Sequence, residues 1–263
     1  MGMLVLAEGG EDKFQAPSVS SFDFPEIFAG TGITKPMVQI VLSAIIVAVF
    51  WLVASRNLRI VPGKFQFAAE EAYTFLRNDI ARSQIGNKDF RPYVPLVVSL
   101  FTFVLVNNLF GFIPFFQLPT FSHFGFPIGL TIMLYLLYNF VGIRRHGLFG
   151  YLKNQTAPPG VPWPIYFLLV PIEFFSKFIM QPITHAIRVF AAMFAGHMIL
   201  LVFVGAGEFL LLHGDGAVAI VGPFSLIVAV AMSFLELLIQ VLQAYVFALL
   251  AANYIGAALA EDH

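Results

Sequence analysis

Two apolar stretches, Trp163–Leu212 and Ala217–Ala260, restrict the folds open to this chain more than any other feature. At 1.5 Å per residue, each would run to about 65–75 Å as a helix, roughly twice the hydrocarbon thickness of a bilayer. Neither suits an upright crossing. Splitting each into two spans needs loops that are not visible, because Pro171 and Pro182 are flanked by continuous apolar sequence. The reading that fits is one steeply tilted or kinked helix per stretch, with the prolines as kink points.

The remaining sequence agrees with a membrane setting. Of 263 residues, 59% are hydrophobic and 11% are charged, against about a quarter charged in soluble domains. The expected fold class is therefore an all-α integral membrane protein. With no cysteine in the sequence, disulfides, thiolate metal sites and cysteine nucleophiles are excluded. No HExxH, glycine-rich phosphate loop or GxSxG occurs, so neither a cofactor nor a metal is expected. The lipid bilayer is the expected surrounding, and nucleic acid is not an expected partner. MGMLVLAEGG, the first ten residues, has no basic region and too short an apolar run for a signal peptide, so the N-terminus is expected to be retained.

Residues 1–35 read as an extracytoplasmic N-terminal segment, and residues 36–263 as a single membrane domain. Pro36–Ser55 is long enough for a first crossing, with Trp51 towards its far end as interfacial aromatics are placed. Arg56, Arg59, Lys64, Arg77, Arg82, Lys88 and Arg91 come next, which puts that loop in the cytoplasm. Within residues 63–91, Phe65, Ala68, Ala72, Phe75, Leu76 and Ile80 recur at helical spacing opposite Glu70, Glu71, Arg77 and Asn78. That pattern predicts an amphipathic helix lying on the membrane surface. Residues 92–116 form a second crossing that carries Asn107 and Asn108 and is broken near its end by Gly111 and Pro114. Residues 127–143 form a third, closed on the cytoplasmic side by Arg144, Arg145, His146 and Lys153. The long helices over 163–212 and 217–260 bring the total to about five crossings plus the interfacial helix. The turn between them holds acids and no lysine or arginine, which places the N-terminus outside and the C-terminus in the cytoplasm.

Arg188 lies deep in the fourth crossing, between Ile187 and Val189. A guanidinium does not shed its proton inside a protein, and placing one in hydrocarbon costs from about 3 to more than 10 kcal/mol, so it needs a partner. The nearest acid in sequence, Glu173, has Lys177 as an i,i+4 partner of its own. Ala191, Ala192, Ala195 and Gly196 leave the surface around the arginine without bulk, which lets another helix approach closely. On the last helix Ser233, Glu236, Gln240 and Gln243 step by three, four and three residues and share one face. His197 can load and unload a proton near neutral pH. Together with Arg188, Asn107 and Asn108, these groups look like the lining of an aqueous path.

These residues resemble the membrane-embedded subunit a of the F-type ATP synthase. The run from Pro182 through ITHAIRVFAAMFAGH to His197 is similar to that family's segment with the essential arginine. LELLIQVLQAYVFALLAANYIGAAL is similar to its last helix, and NNLFGFIP to a motif at the outer end of its second crossing. The resemblance implies that Arg188 is the essential stator charge. It implies that Gln243 is the polar residue opposite it, His197 and Glu236 the exchangeable pair on the outer access path, and Asn108 the half-channel asparagine. Gln240, Asn107, His185 and Glu173 are expected to lie along the same proton path. Ala192 departs from the family's usual asparagine, and Ala191 from its usual glycine, which leaves more weight on His185, Asn107 and Asn108. The implied partners are the c-ring subunits, the peripheral-stalk subunit b and the rest of the F1Fo complex, in a bacterial plasma membrane. The implied role is that of a non-catalytic proton-channel subunit. The residues read alone leave room for two other classes. One is a self-contained transporter whose Arg188 binds an anion. The other is an intramembrane hydrolase, for which Ser233 lacks a base beside it.

Overall fold

The structure, a computed structural model, describes residues 17–18, 32, 34–56, 58–113, 116, 119–157, 162–213 and 217–260, with only the backbone of 217–219. Most of the N-terminal segment, Pro114 and the acidic turn around Asp215 lie outside the described residues. Helices make up the architecture. Helix α1 is Lys35–Arg56, and α2, Lys64–Phe75, runs through a π-helical turn, Leu76–Arg82, into the short α3, Ser83–Ile85. A 3-10 turn at Arg91–Tyr93 leads into α4, Val94–Leu109, and then come α5, Gly125–Thr156, and α6, Trp163–Phe174. A second π-helical turn, Phe175–Met180, joins α6 to α7, Gln181–His213, and α8, Ala217–Leu259, completes the described chain. Five of the described helical stretches are long and apolar enough to cross a membrane: Lys35–Arg56, Arg91–Leu109, Gly125–Thr156, Trp163–His213 and Ile220–Leu259.

Both long apolar stretches are single helical runs, as their lack of loop residues requires. The fourth runs unbroken through Pro171 and Pro182, with the π-helical turn between them. A proline has no N–H to give the carbonyl four residues earlier. For Pro182 that carbonyl belongs to Phe178, inside the π turn, where the wider i→i+5 pattern offers it another donor.

Helix α8 is the post around which the others assemble, packing on α4, α5 and α7. Its C-terminal half buries Ala244, Phe247, Ala248, Ala251, Ala252 and Ile255 completely. Alanines at this spacing let neighbouring backbones come close, the main source of helix association where lipid tails are as apolar as leucine. At Gly256 the backbone carbonyl of Gln84 occupies the space a side chain would take. The outer flank of α8 shows Phe234, Leu235, Leu238, Val241 and Leu242 to the surroundings, a surface that suits lipid or a partner helix and not water.

Two elements differ from the sequence expectation. The amphipathic segment is only half a surface helix. Phe65 and Phe75 are exposed, whereas Leu76 and Ile80 are wholly buried, and the π-helical turn that carries them packs on α4 and α8. The third helix does not stop near Ile143 but continues to Thr156 with a break at Gly147, where φ is 72° and ψ is 164°. Such a backbone is open to glycine and strained for any residue with a Cβ. Beyond the break the chain doubles back. The Tyr151 hydroxyl donates to Asn139 Oδ1 at 3.0 Å, and its ring fills the space left by the missing side chain of Gly142. In a straight helix residues 139 and 151 would stand about 18 Å apart.

Candidate functional site

Helix α7 has two unlike faces. His185, Val189, Met193 and His197 succeed one another at four-residue steps and are all buried. Thr184, Arg188, Ala191 and Ala195, on the other side, are exposed. Arg188 thus sits on the outer surface of the chain at membrane depth, flanked by small residues. It is not enclosed by its own fold. Among the described residues none forms an ion pair or side-chain hydrogen bond with it. Glu173 is unavailable to it, since its Oε2 lies 3.4 Å from Lys177 Nζ in the i,i+4 pair expected from the sequence. Glu173 is half-buried beside Lys177 on the same helical run.

The buried face of α7 meets the polar stripe of α8. His197 Nδ1 lies 3.3 Å from Glu236 Oε1, and Gln240 Nε2 donates to the same oxygen at 3.2 Å. His197, Glu236, Gln240 and Gln243 are all buried. Ser233, the first residue of the stripe, is only half-buried and gives its hydroxyl to the Val230 carbonyl at 2.7 Å. The Glu236 stem packs on α7 at Gly196, where a Cβ would meet Glu236 Cγ in ordinary van der Waals contact at 3.6 Å. A carboxylate and an imidazole in contact can pass a proton between them, and a side-chain amide on the same oxygen fixes where the carboxylate points.

Asn107 and Asn108 are adjacent in sequence and serve different neighbours, because successive residues on a helix point about 100° apart. Asn108 Nδ2 donates to the main-chain carbonyl of Gln240 at 3.0 Å and so joins the His197–Glu236 group. Asn107 Nδ2 donates to Ser43 Oγ at 2.8 Å and ties α4 to α1. The sequence reading missed this polar seam. Thr120 Oγ1 donates to Gln39 Oε1 at 3.3 Å, and both Gln39 and Ser43 are buried. A signal was present, since Gln39 and Ser43 are one turn apart in an otherwise apolar span.

Several buried polar atoms of this group have no hydrogen-bond partner among the described residues: Asn107 Oδ1, Asn108 Oδ1, Gln240 Oε1, Gln243 Nε2 and both ring nitrogens of His185. An unmet buried polar atom costs about 1–3 kcal/mol, so such a concentration favours water or a partner's polar group at this place. His185 is set apart from the others: its ring lies on Phe247, with centroids 4.4 Å apart, and edge-on to Tyr254 at 5.6 Å. No group of three or more potential metal ligands occurs among the described residues.

A family profile described as "ATP synthase A chain" matches residues 37–256. A protein of Nocardioides sp. named "ATP synthase subunit a" is 45% identical, covering 98% of this chain and 96% of that protein. One of the same name from Pseudarthrobacter chlorophenolicus is 44% identical over 99% of both chains. Another from Streptomyces lividans is 41% identical over 95% of this chain and 89% of its own length.

Proposed function

Because the chain belongs to the ATP synthase A chain family, a multi-pass subunit of the F1Fo membrane sector, we propose that it carries two offset half-channels for protons, separated by the charge of Arg188. The observation that carries this reading is the position of that arginine. It lies on the outer face of α7, among small residues, without an acid of its own chain beside it. A permanent cation so placed is costly unless an anion is brought to it from outside the fold. A ring of partner subunits, each with a carboxylic acid on its outer helix, brings one repeatedly.

On this reading protons come in past Asn108, Gln240, Glu236 and His197 and neutralise one ring carboxylate. They leave on the other side of the membrane after the ring has turned almost fully round. The fixed charge attracts each arriving carboxylate, favours loss of its proton and blocks direct passage between the channels. His197 is nine residues from Arg188, about 13 Å along the helix, which keeps the access path and the arginine apart. A membrane potential supplies about 2.3 kcal/mol per charge per 100 mV, comparable with the bias of a partly hydrated ion pair, so neither term traps the ring. The basic loops support a cytoplasmic C-terminus on this reading, with the peripheral stalk holding the subunit still against the ring.

Replacing Arg188 with lysine tests this. Arg188→Lys should assemble normally and abolish ATP-driven proton pumping by the complex in inverted vesicles. Retained pumping removes the arginine from this role. Purification of the chain without ring subunits, together with solute flux by the chain alone in liposomes, would instead favour a self-contained carrier.

A further inference from the structure

The turn that follows α4 closes over the side chain of Gln240, and it does so at a glycine. A Cβ added at Gly111 would stand 2.8 Å from Pro119 Cδ, 3.0 Å from the Pro119 nitrogen and 3.2 Å from Gln240 Nε2. The turn therefore reaches the amide only because residue 111 has no side chain. Gly111 is not among the glycines with positive φ, so its use here is room and not backbone freedom. Gly111 and Asn108 lie three residues apart on one side of the chain, and both serve Gln240. Asn108 Nδ2 donates to its main-chain carbonyl at 3.0 Å, and Gly111 lets Pro119 lie against its amide.

The Pro119 side of this contact is held firmly. Pro119 is buried, and its carbonyl accepts twice from Ser122, from the backbone nitrogen at 3.0 Å and from Oγ at 2.8 Å. The next residue, Thr120, gives its hydroxyl to Gln39 of α1, and the buried ring of Phe121 stands 6.4 Å from that of Phe103 on α4. The Gln240 side is held less. Its amide makes one hydrogen bond, from Nε2 to Glu236 Oε1, while its own Oε1 has no partner among the described residues. The last torsion of a glutamine is broad and roughly two-fold, so one bond alone does not fix where the amide points. The wall made by Gly111 and Pro119 supplies the second constraint.

We infer that Gly111, with Pro119 clamped by the Thr120–Gln39 bond, is a positioning element for proton exchange: it keeps the Gln240 amide on Glu236 and, through that bond, the carboxylate in line with His197. The inference rests on the proton path proposed above. Gly111, Pro119, Thr120 and Gln39 act through Gln240 and do not themselves meet the proton. A Cβ at residue 111 would press on a fixed proline ring on one side and on the free end of a side chain on the other. The side chain is the part that yields, and Glu236 then loses its donor. A displacement of about 1 Å costs up to about a hundredfold where transfer depends on alignment. The buried polar seam on α1 thereby gains a use at a site two helices away.

The experiment measures passive proton conduction through the head-free membrane sector, per assembled complex, for Gly111→Ala, Gln240→Asn and the two combined. Gly111→Ala should conduct about tenfold less than the wild type. In the Gln240→Asn background, where the shorter amide no longer reaches the wall, the same change should alter the rate by less than about twofold. A general packing defect would instead lower the rate by the same factor in both backgrounds. Gly129→Ala, at a glycine with nothing listed within 4 Å of an added Cβ, should keep wild-type conduction. Should Gly111→Ala not assemble, Thr120→Val, which loses the hydroxyl to Gln39 and keeps the shape, is read in the same cycle and should show the same pattern. Unchanged conduction in the variant read, an equal loss in both backgrounds, or a loss in Gly129→Ala as large as that in Gly111→Ala each overturns the inference. Wild-type conduction in Glu236→Gln would sink the proton path itself, whereas slowed conduction there with an equal loss in both backgrounds removes the positioning role alone, so the two failures are distinguishable.

Discussion

Gly207 and Gly222 face each other across the hairpin of α7 and α8 so closely that a Cβ on either would stand 3.2 Å from the main-chain oxygen of the other. The same added Cβ at Gly207 would be 2.7 Å from Leu226 Cδ2. Small residues at a helix contact bring backbones together, and packing is what holds helices side by side in lipid. Gly207→Val should therefore push the hairpin apart at a cost of about 1–3 kcal/mol. The check is the melting temperature and yield of the assembled complex in detergent. Wild-type values would show that the helices do not meet at this point.

Glu236 shares one oxygen between His197 and Gln240. Glu236→Gln preserves size and some hydrogen bonding but ends proton exchange with the imidazole. Passive proton conduction should fall about tenfold, equivalent to about 1.4 kcal/mol in barrier, with assembly unchanged. Conduction equal to the wild type would place Glu236 outside the path.

The two neighbouring asparagines should separate by phenotype. Asn108→Leu removes the donor to the Gln240 carbonyl and should slow conduction. Asn107→Leu removes the link to Ser43 and should lower stability by about 1–3 kcal/mol, with little effect on the rate per assembled complex. Thermal melting and conduction measured on the same preparations decide this. Identical effects of the two changes would contradict the division of labour.

Gly147 adopts a backbone that costs a residue with a Cβ about 1–3 kcal/mol. Gly147→Ala should loosen the doubled-back segment that holds Tyr151 against Asn139. Amide hydrogen exchange over residues 148–156 would then speed up, and unaltered exchange would argue against the reversal.

The crossings and the polar residues were legible in the sequence because each rests on a one-dimensional signal. Twenty apolar residues make a span, and Glu236, Gln240 and Gln243 fall on one face by their spacing alone. The His197–Glu236 contact was reachable only through the family resemblance, since the two residues are 39 positions apart and helix pairing has no local code. The aim of Arg188 was not legible. Sequence placed it deep in a span, but whether it points inward or outward depends on which side of α7 meets α8. The cavity lined by Tyr138, Tyr151, Lys177 and Tyr254 was hidden for a related reason: it draws on α5, the π-helical turn and α8 together, and on the reversal of α5 at Gly147, which no one-dimensional signal reports. The amphipathic segment read half correctly because periodicity reports an apolar face and not what covers it.

The π-helical turn between Pro171 and Pro182 separates the length of the fourth helix from the heading of its second half. A residue deleted inside Phe175–Met180 lets the wide turn tighten to ordinary α pairing, so Arg188 should keep its bearing and the complex its pumping. A residue deleted between Pro182 and Arg188 swings the guanidinium by about 100° with nothing nearby to absorb the slip, and pumping should vanish. Ahead of the arginine, then, the wide turn is the slack that takes up an indel without swinging the charge away from its target.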